Sequence, residues 1–158
     1  MTFKMDKKNG IIAVVSVVIL AIIGTIFYFE KIAPKILTKN EYIKEVVIQN
    51  KDFDKVLDSF LDQVVSYNGS KESYEKFIAT SEKFPKFVSD LEQKLGPRVP
   101  AEARSHYNQM MAAYKIYLEA IEMYKKAVPK NFGEERTTLI SEAQSKLDEA
   151  KNAMQNIS

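Results

Sequence analysis

Four tyrosines recur at helical spacing in the C-terminal half of the chain: Tyr107, Tyr114, Tyr117 and Tyr124. Their spacing puts all four on one face of an α-helix. A phenol joins an apolar ring to a hydroxyl that needs a partner or water, so such a row has two uses. It can build a core with a wet edge, or it can line an aromatic groove between helices for an apolar or glycan-like ligand. These four are the candidate ligand-groove residues.

Two other constellations invite metal chemistry. His106 is the only histidine, and Glu102 lies one helical turn before it, close enough to share an ion. Di-iron bundles need paired Glu-x-x-His motifs and zinc proteases need His-Glu-x-x-His, and the sequence has neither, so a solvated surface histidine is expected. Asp54, Asp58 and Asp62 form a carboxylate stripe. A calcium loop would instead need a central glycine between its ligands, and Lys51 and Lys55 soften the repulsion among the three acids, so the stripe is expected to be a solvated charged face. There is no glycine-rich phosphate loop and no Ser-His-Asp set. With no converging acid and base, the chain is expected to be neither an enzyme nor a cofactor carrier, and no metal site is expected.

The chain has 158 residues with 23 Lys and Arg against 21 Asp and Glu, and neither Cys nor Trp. Absence of cysteine excludes disulfides, thiolate metal sites and cysteine nucleophiles. Setting aside Lys4, Lys7, Lys8 and Asp6 leaves the chain from Glu30 onward formally neutral. Nucleic-acid binding needs a concentrated basic face, so nucleic acid is not an expected partner.

The elements that must position these residues follow a strongly apolar stretch. Residues 10–29, GIIAVVSVVILAIIGTIFYF, contain no charge, and thirteen of the twenty are Ile, Val, Leu or Phe. As a helix the stretch is about 30 Å long, the hydrocarbon thickness of a bilayer. A single transmembrane helix is predicted here, after a short basic tail at 1–9. No small-x-small cleavage site follows, so the anchor is expected to stay attached rather than be removed as a signal peptide. The short tail favours a cytoplasmic N-terminus and an extracytoplasmic C-terminal domain in the cell membrane.

Residues 30–37 are predicted to be a juxtamembrane linker, interrupted by Pro34. From 38 to 158 the pattern predicts an all-α, antiparallel, up-down four-helix bundle with coiled-coil-like packing. The first helix opens on Thr38 and Glu41, a capping box, with Leu37 and Tyr42 at the staple positions. Its apolar seam runs Ile43, Val46, Asn50, Phe53, Leu57, Phe60, Val64, Tyr67 and stops at Asn68-Gly69. The second helix repeats the pattern through Tyr74, Phe77, Ser81, Phe84, Val88, Leu91 and Leu95, with a kink or break predicted before Pro85. The third, from Pro100 to Pro129, carries the tyrosines, and the fourth follows the Asn131-Phe132-Gly133 turn with Ala143, Leu147 and Ala150 on its seam. Large against small suggests that the tyrosines pack on those alanines. Asn50 and Ser81, polar at seam positions, either fix register or sit at a wet edge.

The plan of tail, anchor and helical domain resembles the sensory half of bacterial transmembrane receptors in architecture. Without a second span or an output domain in these residues, that resemblance implies sensing through a partner protein. The expected function is a membrane-anchored, non-enzymatic interaction module of the cell envelope with a protein partner. The alternative is a sensor-like ectodomain that binds a small molecule. The sequon Asn68-Gly69-Ser70 becomes a glycosylation site only in a glycosylating secretory pathway.

Overall fold

The structure, a computed structural model, describes residues 33–157 apart from Phe132. The basic tail, the apolar run at 10–29 and the start of the linker lie outside the described residues, as do Phe132 and Ser158. Among the described residues no helix is long and apolar enough to cross a membrane. The chain divides into a unit ending at Lys35 and a second unit, Ile36–Ser158, which contains every helix described.

That second unit is all-α, with five α-helices among the described residues: α1 (Lys39–Ser66), α2 (Lys71–Ser81), α3 (Lys83–Leu95), α4 (Arg104–Ala127) and α5 (Glu134–Gln155). Local chemistry sets each boundary. The Thr38 hydroxyl accepts from the Glu41 N–H at 3.3 Å, and the Glu41 carboxylate accepts from the Thr38 N–H at 2.8 Å, closing the expected capping box. Leu37 and Tyr42, at the staple positions, are both buried. The Leu37 N–H also donates to the Arg98 carbonyl at 2.8 Å, tying the entry of α1 to the turn between α3 and α4. At its other end α1 stops because Tyr67 is extended, and Gly69, at φ 83°, turns the chain toward α2. Ser70 caps α2 by accepting from the Ser73 N–H.

The predicted second helix is divided at Glu82 into α2 and α3. Pro85 is the third residue of α3, where an N–H has no intrahelical acceptor, so the proline starts a new helix and no kinked one results. The third predicted helix also starts differently: two 3₁₀ turns, Gly96–Arg98 and Ala101–Ala103, precede α4, and Pro100 leads into the second of them.

The bundle is up-down. Ring pairs Tyr67–Phe77, Phe60–Phe84 and Phe53–Phe87 run in opposite senses along the chain, so α1 lies antiparallel to α2 and α3. Across the core, α1 and α4 lie parallel in one constant register. Tyr42 meets His106, Asn50 meets Tyr114, Phe53 meets Tyr117 and Phe60 meets Tyr124, each pair 64 residues apart. Helices α4 and α5 are antiparallel neighbours, as expected, and make the closest backbone approach in the bundle. Buried Ala113, Ala120 and Ala127 on α4, with Ala143 and Ala150 on α5, leave no bulky side chains to hold the backbones apart. Tyr124 donates to Gln144 at 2.7 Å and Lys146 reaches Glu119 at 3.0 Å, fixing the register of this pair.

Candidate functional site

The four predicted groove tyrosines are core side chains. Tyr107, Tyr114, Tyr117 and Tyr124 keep 6, 0, 5 and 2 % of their surface exposed. Their neighbours are also other than expected. Tyr114 packs against Phe53, Phe87 and Tyr117, with the Phe53 ring centroid 4.6 Å away, and Tyr124 packs on Phe60. The alanines of α5 serve the backbone contact with α4, and the rings point into an aromatic centre that α1 and α3 supply. The cause is geometric: phenol-sized side chains bridge the wide diagonal of a bundle, and alanine suits its narrow side.

Their hydroxyls are handled one by one. Tyr114 donates to the Asn50 side-chain oxygen at 2.7 Å, so Asn50 pairs across helices rather than facing water alone. Tyr107 lies against Gly96, where an added Cβ would stand 2.8 Å from the phenol oxygen, and its hydroxyl has no hydrogen-bond partner among the described residues. Burial raises the ionisation of Tyr114 well above the ordinary phenol range, with the nearby Asp54 carboxylate adding to the effect. The same causes push Tyr117 up to about 12. Ser81, buried, donates to the Ile78 carbonyl of its own helix.

His106 is not the solvated surface histidine of expectation. It is half-buried, its Nδ1 shares a 2.9 Å hydrogen bond with the Tyr42 hydroxyl, and the two rings meet edge to face. Burial, with a smaller contribution from Tyr107, pushes Tyr42 up to about 12. Asp54, Asp58 and Asp62 are exposed, and no group of three or more His, Cys, Asp or Glu among the described residues could hold a metal ion.

The feature with functional potential lies elsewhere, in the cleft between α1 and α5. These two helices make no extended backbone approach, unlike α4 and α5 or α1 and α2. Along α1, Ile43, Val47, Asp54, Asp58, Leu61 and Val65 recur at steps of three, four and seven, which is one helix face. Ile43, Val47 and Val65 are 48, 62 and 86 % exposed. Three depressions follow this cleft. One of about 470 Å³ lies among Tyr42, Ile43, Val47, Ala103, His106 and Ile157. The next, about 510 Å³, lies among Asp54, Asp58, Leu61, Tyr117, Lys151 and Met154. The last, about 250 Å³, lies among Val64, Arg136 and Ile140. Near it the cleft closes, with the Arg136 guanidinium 5.8 Å above the Tyr67 ring.

Sequence reasoning missed this cleft by assigning Ile43 to the core seam. The signal that could have found it is the double apolar step of α1, where Tyr42-Ile43 and Val46-Val47 supply two adjacent faces instead of one. A helix with an apolar arc wider than its core needs has a second surface to cover. The fold therefore defines an all-α bundle with a filled core and one open cleft. Compared with known protein families, with curated proteins and with solved structures, the chain matches none.

Proposed function

We propose that this chain is a single-pass, membrane-anchored, non-enzymatic interaction module of the cell envelope, with its helical bundle outside the cytoplasm. The anchor is the uncharged run at 10–29, whose thirteen large apolar residues favour insertion by about 4–8 kcal/mol. The observation that carries the interaction role is the open cleft between α1 and α5, an exposed apolar face on a bundle whose core is otherwise filled. A catalytic site would need acids and bases that converge; the polar groups bordering the cleft are spread along its length.

A second reading, a ligand-binding ectodomain, draws on the depression beside Tyr42 and His106. At about 470 Å³ it falls within the range of small-molecule sites, with apolar walls and a few polar groups at its edge.

The test of the main reading is fractionation of cells that make the full chain, followed by protease treatment before and after the membrane is opened. The chain should sediment with membranes, keep its first residues on N-terminal sequencing, and lose its bundle to protease added outside. A bundle protected until the membrane is opened reverses the topology, and a chain that stays in the supernatant removes the anchor.

A further inference from the structure

Three properties of the cleft together define what covers it. The first is length: from Ile43 to Val65 the open face runs for about 33 Å at 1.5 Å per residue, a span that suits a partner helix of about six turns. The second is the order of its chemistry. Apolar side chains occupy both ends, Ile43 and Val47 at one and Leu61 and Val65 at the other, while Asp54 and Asp58 occupy the middle. Neither carboxylate has a salt bridge among the described residues, and Lys151 on the opposite wall lies 4.0 Å from Asp148 of its own helix. The third is symmetry. Asp54 stands midway between Ile43 and Val65, so pairing this face with its counterpart on a second copy sets Asp54 against Asp54, whether the helices run parallel or antiparallel. Like charges meeting in an interface oppose association, which argues against a homodimer through this face.

We infer that the α1–α5 cleft is the docking site for one amphipathic helix of a different protein, with an apolar stripe interrupted at its centre by Lys or Arg. The apolar ends of the cleft take anchors at helical spacing, in the manner of helix-in-groove recognition. Asp54 and Asp58 receive the central cation, which selects the partner and its register more than it adds affinity. This inference rests on the cleft being the interaction surface of the proposed module, and it adds the chemical class of the partner.

The experiment uses the full chain in its membrane. A photo-cross-linking amino acid is placed at position 47, at position 65 and, as a control on a remote face, at position 76. Captured peptides are then sequenced by mass spectrometry. Positions 47 and 65 should capture a single stretch of one partner, at points about 18 residues apart with Lys or Arg between them, as one continuous helix requires. Position 76 should capture nothing from that stretch. The double change Asp54→Lys with Asp58→Lys should cut the yield by about tenfold or more, with helicity and membrane sedimentation unchanged. Capture of a second copy of this chain, capture of lipid, no capture from 47 and 65, or a yield indifferent to the charge reversal would each overturn the inference. Sedimentation of the same sample reports the anchor separately, so failure of docking and failure of membrane attachment are told apart.

Discussion

Tyr114 joins the most interactions at the centre of the bundle. It has no exposed surface, it touches Phe53, Phe87 and Tyr117, and it donates to Asn50. Truncation to alanine in full chain held in detergent should lower stability by about 3–5 kcal/mol, measured by urea unfolding. Tyr114→Phe keeps the ring and removes the donor, leaving the Asn50 oxygen short of a partner, and should cost about 1 kcal/mol. A Tyr114→Ala chain as stable as the parent would contradict its place in the core. The tyrosines also set the behaviour in alkali. Burial raises Tyr42, Tyr107, Tyr114, Tyr117 and Tyr124, and an unfolded tyrosine ionises near pH 10. A raised folded value favours the neutral phenol in the native state. The associated stability is intact below about pH 10 and is lost as pH climbs toward about 12, the value for Tyr42 and Tyr117. The urea midpoint should therefore fall across that window, and tyrosinate absorbance of the native chain should lag that of the chain in urea.

Among the helices, α4 and α5 depend on small residues. Ala150 is fully buried where the two backbones come closest, so Ala150→Leu has no space to fill and should destabilise by about 1–3 kcal/mol through displacement of the backbones. The same change at exposed Asn152 should stay within about 0.5 kcal/mol, and a urea titration of the two variants compares them. Much of this level was legible in the sequence because it is local. Thr38 and Glu41 announce their own capping box, Pro85 marks a helix boundary within three residues, and the steps of three and four place Phe53, Leu57 and Phe60 correctly in the core. What was not legible depends on distances between helices. The spacing of the tyrosines shows that they share a face, and nothing in that spacing says whether the face meets alanines across a narrow gap or phenylalanines across a wide one. Ile43 is the same kind of case: its period fits the seam, but Tyr42 beside it takes the buried seat and leaves Ile43 half outside. His106 looked solvated because its hydrogen-bond partner, Tyr42, stands 64 residues away.

For the molecule as a whole, the constant 64-residue separation between partners on α1 and α4 has a consequence for the time course of folding. Contacts between α4 and α5 close over a short connection, whereas every α1–α4 pair waits for a loop of some sixty residues to close, which costs more chain entropy. The hairpin of α4 and α5 should therefore be the early structured element, with α1 arriving last against an assembled surface. The order has a counterpart in the native state, where the last element to dock is the first to release. Helix α1 lacks an extended backbone contact with α5, and the start of α1 is its most exposed apolar stretch. Hydrogen exchange followed by mass spectrometry should show the first three turns of α1 exchanging well before the buried stretch of α4 around Tyr114, by a factor of about ten or more. Uniform exchange across α1 and α4 would mean that the bundle opens only as one unit. An early-releasing α1 also makes the cleft adjustable in width, so that a helix entering it completes a structure the chain alone holds only part of the time.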